Sequence, residues 1–188
     1  MPTNEVRRRE KLRNAVLYFV QNDKTVGLTK LMKLLFYLDF RLYRKTGESL
    51  TGETYQAWDF GPVPVSVWQE MRLKKSCGLN LNNVVTVTGQ GFDSKLKAKK
   101  DAVFSDDYFS GTEKTELKNV SEMFKGIPAR MVVKASHARN DPWDVTLKTK
   151  GKKAVIDYDL ELDGCSEEEK NRVKEIQDDN ALLEAMFG

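Results

Sequence analysis

Residues 29–47 read TKLMKLLFYLDFRLYRKTG, and the fold class follows from this stretch. Leu31, Leu34, Leu35, Leu38 and Leu42 recur at i, i+3, i+4, i+7 and i+11, the spacing of one helical face. Met32, Phe36, Tyr37 and Phe40 widen that face until little of the helix is left for water. A helix apolar on most sides belongs in the middle of a domain. Thr29 is placed to cap its start and Gly47 to end it. Asp39 disagrees with these surroundings. A buried carboxylate must be paired or hydrogen-bonded, so Asp39 is expected to be a structural anchor that meets a basic residue or backbone donors elsewhere.

On the N-terminal side, Leu12, Val16, Phe19 and Val20 predict a helix over Glu5 to Gln21, with Arg7, Arg8, Lys11 and Asn14 gathered on another side. On the C-terminal side, Thr54 to Phe60 is aromatic and β-favouring enough for a short strand. Gly61, Pro62 and Pro64 then break the pattern, and a helix over Val65 to Lys74 carries Val67, Trp68 and Met71. Asn83 to Thr88 reads as a strand that Lys95 to Ala98 can pair with across the intervening turn. Ser110-x-x-Glu113 is a capping box opening a helix that carries Leu117, Val120, Met123 and Phe124 and stops at Gly126. Pro128 suits the first turn of a further helix through Ala138.

Past Lys148 the character changes. Residues 155–162, VIDYDLEL, alternate apolar and acidic groups like an exposed strand or extended arm. Ser166-x-x-Glu169 is a second capping box, and its helix sets Val173, Ile176, Leu183 and Phe187 on an apolar stripe. The expected architecture is α+β and mainly helical. A compact helical domain with a small antiparallel sheet covers residues 1–147, and a C-terminal extension of arm plus amphipathic helix covers residues 148–188.

Composition narrows the function classes. At 188 residues, 40% apolar and 31% charged, the chain is one domain, or one with an appendage, able to form a core without metal or disulfide. Thirty-one basic and 28 acidic residues leave a net charge of +3, too mild to announce a nucleic-acid binder. Cys77 and Cys165 form no CxxC pair and have no neighbouring histidine, so neither a metal site nor another cofactor is expected. No run approaches the roughly 18 apolar residues of a membrane span, and MPTNEVRRREKLRNAV lacks a signal-peptide core. A cytoplasmic protein is expected.

Motifs of catalysis are thin. Asp59-Phe60-Gly61 spells the kinase magnesium motif, but the Gly-rich loop, strand lysine and HRD loop that a kinase needs are missing. Asp59 is expected to end a strand, with Gly61-Pro62 forming the turn. His137 is the single histidine, and no nucleophile elbow accompanies it. It is expected to fix a turn beside Asp141-Pro142-Trp143, the rival being a hydrolase that uses it with Asp39 or Asp141. The basic stretch Arg7–Arg13 could grip phosphate, but Glu5 and Glu10 interrupt it.

The ordered motifs resemble a known family. Lys33-Leu34-Leu35-Phe36-Tyr37-Leu38-Asp39 is similar to the K-L-L-[YF]-[FY]-x-D signature of the SocA-like, or Panacea, antitoxin domain. Thr51-Gly52-Glu53-Thr54-Tyr55-Gln56-Ala57-Trp58, followed by Gly61-Pro62-Val63-Pro64, resembles its T-G-x-x-Y-x-A-W…G-P-V-P segment. Thr112-Glu113-Lys114, Ser136-His137 and Pro142-Trp143 match further landmarks, with a weaker echo in Ile156-Asp157-Tyr158. The likeness runs from Asn14 to Trp143. Asp141 departs from it, standing where the family carries glycine, and no helix-turn-helix module precedes the matching stretch.

The resemblance implies a non-enzymatic antitoxin that neutralises a cognate toxin by direct binding, as half of a bacterial or phage-associated pair. Alternatives are an adaptor that delivers the toxin to a protease, and a DNA-binding regulator acting through Arg7, Arg8 and Lys11. Its partner is the toxin protein, without membrane or nucleic acid, in a homodimer or a hetero-oligomer with the toxin. A stoichiometric binder needs a few aromatic anchors on a rigid scaffold. Tyr55, Trp58, Asp59, Phe60, Trp68 and Trp143 are the expected toxin contacts, and Asp39, Gly61, Pro62 and His137 the structural anchors.

Overall fold

A computed structural model describes residues 3–137 and 140–187, without the side chains of residues 183, 184, 186 and 187. The apolar stripe at 31–42 becomes helix α2 (Leu28–Thr46), and every other element packs around or near it. Helix α1 (Asn4–Asn22) precedes it. After it come strands β1 (Tyr55–Trp58) and β2 (Gly61–Pro64), helix α3 (Val65–Leu73), and strands β3 (Val85–Thr88) and β4 (Lys95–Ala98). Helices α4 (Gly111–Phe124), α5 (Ala129–Ala135), α6 (Pro142–Lys150) and α7 (Glu167–Phe187) complete the chain, with a 3-10 turn at Tyr158–Leu162 before the last. The protein is mainly helical, with two small antiparallel sheets instead of one.

The strong local signals hold. Leu31, Leu34, Leu35, Leu38 and Leu42 are all buried. Gly47 ends α2 in the left-handed conformation, φ 72°, where its N–H reaches the Tyr43 carbonyl. The Ser110 and Ser166 capping boxes both form. Strands β3 and β4 pair from Val85 opposite Ala98 to Thr88 opposite Lys95.

Four local expectations are corrected. Thr29 does not cap α2, which begins one residue earlier. The cap comes from a distant residue, Ser94, whose hydroxyl accepts the Leu28 N–H at 2.9 Å, while the Thr29 hydroxyl turns to the Gly91 carbonyl. Gly61-Pro62-Val63-Pro64 is no break but a strand, paired with β1 from Tyr55 opposite Pro64 to Trp58 opposite Gly61. The hairpin turn is Asp59-Phe60, one step before the expected Gly61-Pro62. Neither turn residue has a positive φ, and Gly61 at φ 94° completes the reversal. Finally, α5 stops at Ala135, and Pro142 to Lys150 forms an unforeseen helix. Asp141 caps that helix by accepting the Asp144 N–H at 2.8 Å, a role that glycine could not fill. Ala138, the expected end of α5, lies outside the described residues.

The C-terminal segment is not an exposed arm. Ala57 N–H donates to the Ala154 carbonyl, Lys153 N–H to Ala57 and Ile156 N–H to Tyr55, so residues 153–156 line the free edge of β1. Ile156 and Val173 are buried, and Tyr158 stacks on Phe40 with centroids 4.4 Å apart. Gln177 and Asn180 of α7 bond Gly47 and Glu48 at the end of α2. Of the predicted stripe on α7, Val173 and the half-buried Ile176 face the domain, while Leu183 and Phe187 lie outside the described side chains. No helix among the described residues is long and apolar enough to cross a membrane.

Candidate functional site

Charges inside α2 organise the molecule around it. Asp39 is fully buried and meets no base. Its carboxylate accepts the Thr51 N–H at 2.9 Å, the Thr51 hydroxyl and the Tyr55 hydroxyl at 2.8 Å, with the Tyr158 hydroxyl 3.5 Å away. Burial pushes its pKa up to about 6, against the hydrogen bonds that favour the charged form. Nearby Glu53, beside the Ser66 hydroxyl, is raised by burial to about 7. The four hydrogen-bonded groups come from α2, the Leu50–Thr54 loop, β1 and the C-terminal segment. Asp39 therefore ties together chain segments up to 119 residues apart.

On another side of α2 the β1–β2 hairpin stands over a cleft of about 590 Å³. Leu28, Met32 and Val63 line its apolar part, with Trp58 and Trp68 in edge-to-face contact at 4.9 Å. Phe60, at the hairpin tip, is 63% exposed and meets Phe92 edge-on at 5.7 Å. The Arg130 guanidinium lies 5.6 Å from the centroid of Phe92. Asp59 beside Phe60 is exposed and pairs with Lys152 at 2.6 Å.

The tip is braced from below. Trp143 donates its indole N–H to the Trp58 carbonyl at 2.9 Å, and its ring stacks on His137 with centroids 4.0 Å apart. His137 in turn bonds the Phe60 backbone, and burial followed by the Lys33 charge lowers its pKa. Lys33 donates to the Pro62 carbonyl at 2.7 Å. A Cβ at Gly61 would lie 2.8 Å from the Ser136 hydroxyl and 2.9 Å from Lys33 Cε, so this close approach requires glycine.

Four of the expected contact residues, Trp58, Asp59, Phe60 and Trp68, line this one cleft. Tyr55 and Trp143 leave that set as a correction. Tyr55 is fully buried in the Asp39 network, and Trp143 is buried beneath the hairpin, so neither ring has a surface to offer. Gly61, Pro62 and His137 sit at the brace. Asp141, capping α6, is not among the groups bonded to Asp39 or His137. Lys11 of the basic N-terminal face pairs with Glu113 at 2.7 Å, which makes it a helix-to-helix tie, while Arg7 and Arg8 are exposed. Among the described residues no three His, Cys, Asp or Glu side chains converge as metal ligands.

The family model of the SocA-like antitoxin, Panacea domain, matches residues 31–144. The chain belongs to that family. The matched Panacea stretch begins in α2 and ends at the first turn of α6, so it holds the whole hairpin and its brace. Membership supports an antitoxin role in general and implies a toxin as partner. No curated protein and no solved structure matches this chain.

Several residues of this Panacea domain escaped the sequence reading. Lys30 is fully buried, as is nearly all of Lys33. Glu70 accepts the backbone N–H groups of Leu79 and Leu81 at 3.0 and 2.6 Å and so shapes the loop after α3. Glu116 gathers Arg41, Lys45 and Asn119, joining α4 to α2. The signal available for the lysines was the one that exposed Asp39: a charge within a helix that is apolar on most sides.

Proposed function

We propose that this protein is a non-enzymatic antitoxin that neutralises a cognate toxin by binding it directly at the cleft beside the β1–β2 hairpin. The exposure of Phe60 carries this reading. A large aromatic ring held out on a braced hairpin, flanked by two half-buried tryptophans, has the make-up of a preorganised hot spot. An unbraced loop would lose side-chain and backbone freedom on binding, whereas this one is already fixed by Trp143, His137 and Lys33. The same bracing occupies the groups that a hydrolase would need. His137 is stacked and bonded to backbone, and Asp39 is engaged in its network with Thr51 and Tyr55.

The test is co-expression with the open reading frame adjacent to this gene in a bacterial cytoplasm. The frame alone should stop growth, and the wild-type protein should restore it. Phe60→Asp should lose rescue while keeping the wild-type melting temperature. A harmless frame, or one still lethal beside the wild-type protein, would sink the proposal. Rescue accompanied by disappearance of the toxin, and only when a host protease is present, would transfer the role to a proteolytic adaptor.

A further inference from the structure

Two lysines of α2, three residues apart, have both left water, and only one is matched by an acid. Lys30 Nζ donates to Asp23 at 2.7 Å, to the Thr25 hydroxyl at 2.9 Å, and to the carbonyls of Phe124 and Ile127 at 2.7 and 2.8 Å. Lys33 Nζ donates to the Pro62 carbonyl alone and forms no ion pair among the described residues. Yet Lys33 lines the cleft, and Lys30 does not.

We propose that the cleft receives an acidic, apolar-flanked segment of the partner protein, whose carboxylate pairs with the Lys33 ammonium while its apolar neighbours lie against Trp58, Trp68 and Phe60. The proposal rests on the antitoxin reading above and specifies the chemistry of the toxin segment that docks.

Charge complementarity supports it. The charged lining residues are Lys33, Arg72, Lys152 and Lys153 against the single acid Asp59, and Asp59 is already held by Lys152. Lys33, Arg72 and Lys153 thus remain uncompensated along one apolar cleft. An ammonium with three donor hydrogens and one acceptor has unused capacity. Burial holds its pKa down to about 7, as expected of a cation that lacks a counter-ion. The one titratable neighbour coupled to it is His137, a base rather than an acid. A carboxylate entering from the cleft would supply the missing charge where solvent is already excluded. A phosphate fits less well, because its three oxygens call for several converging donors, and the floor presents one amine among apolar side chains.

The test needs no toxin. The isotope-labelled full chain is titrated with an acetylated, amidated peptide carrying Glu between Leu and Phe, and with its Gln analogue. The indole N–H signals of Trp58 and Trp68 report on the cleft. The Glu peptide should shift both signals and bind about tenfold more tightly than the Gln peptide, the difference a charge-assisted hydrogen bond makes. Lys33→Met should bring the two affinities to within about twofold, with the Gln peptide still bound, because only the charged bond has been removed. Equal binding of both peptides to the wild-type chain overturns the proposal, and so does an unchanged preference in Lys33→Met. Loss of the preference on Arg72→Gln alone would move the charge recognition to the rim and remove Lys33 from it. Tighter binding of an oligothymidine at the same signals would replace the peptide by nucleic acid. The peptide comparison on the wild-type chain decides even if Lys33→Met fails to fold. A chain that rescues growth but shows no Glu preference loses only the Lys33 assignment. A chain with the preference that rescues nothing loses the antitoxin reading instead.

Discussion

One helical turn of α2 carries two buried lysines in opposite circumstances. Around Lys30, three elements converge: the α1–α2 loop brings Asp23 and Thr25, α4 ends on it with the Phe124 carbonyl, and Ile127 follows. Asp23 also accepts the N–H groups of Thr25 and Gly126. Around Lys33 there is a single backbone carbonyl and an open cleft. The same residue type, on the same helix, is a closed structural joint in one place and an unpaired charge in the other. Burial alone therefore does not mark a residue as scaffold. What distinguishes the two sites is whether the chain itself completes the coordination.

Breaking the closed side should have the largest effect. Lys30→Met leaves Asp23 buried without its cation and two carbonyls without donors, and should cost about 3–5 kcal/mol in denaturant unfolding. Burial alone would raise the pKa of Asp23, but the bonds from Lys30, Thr25 and Gly126 outweigh it and hold the value down at about 2. A lowered carboxylate pKa stabilises above its ordinary value of 3.8 and loses that contribution as pH falls through about 2. The wild-type protein should accordingly lose stability between about pH 4 and pH 2, and Lys30→Met should lose much less over the same range. An identical acid limb in both proteins would refute the linkage.

Asp39 gives the next largest effect. Asp39→Ala strands the Thr51 N–H and two hydroxyls, at about 1–3 kcal/mol. Its pH signature runs the other way from that of Asp23. With a folded value raised to about 6, protonation favours the fold, so stability is greatest below the ordinary carboxylate range and is lost as pH rises through about 6. Melting temperatures of wild type and Asp39→Ala across pH 4 to 7 should show that decline only in the wild type.

On the open side the sign reverses. Lys33→Met removes a desolvated charge and should raise the melting temperature at pH 7 or leave it unchanged, in contrast to Lys30→Met. A lysine whose folded pKa is lowered from 10.5 to about 7 disfavours the fold below that value. The wild type should gain on Lys33→Met as pH rises from about 7 to about 10, by equilibrium unfolding. A clear loss of stability in Lys33→Met at pH 7 would make both lysines scaffold and erase the contrast. Phe60→Ala should be the mildest, within about 0.5 kcal/mol of wild type in unfolding, because the ring is mostly in water already.

Legibility in the sequence followed how local each interaction is. The α2 stripe, both capping boxes, the β3–β4 pair and the buried state of Asp39 all rest on residues within a few positions of one another, or on a single residue at odds with its neighbours. Ser94 capping α2 from 66 positions away in sequence could not be read, since no local pattern points to it. Strand β2 was missed because Gly61, Pro62 and Pro64 are strand breakers in an interior ladder, and nothing local says that they occupy an edge. Helix α6 hid behind a short Pro-Trp landmark that reads as a turn. In the site, the aromatic cluster Trp58, Phe60 and Trp68 was legible as a candidate. Lys33 was seen only as part of a family signature, and its lack of a partner is a fact of three dimensions.

The prolines of β2 have one more effect. Opposite Ala57 and Tyr55, neither Pro62 nor Pro64 has an N–H to give to β1, so both belong to the positions that would point outward from the pair. The outer rim of β2 therefore offers carbonyls without donors, and Lys33 has already taken the Pro62 oxygen. On the far side, residues 153–156 cover β1. The hairpin is thereby sealed against extension by another strand from either flank, which protects it from intermolecular zippering and domain exchange even though its tip is one of the most apolar exposed points on the surface. A protein that must display aromatic rings to strangers without aggregating with its own kind can do so from a sheet that has no room for a third chain.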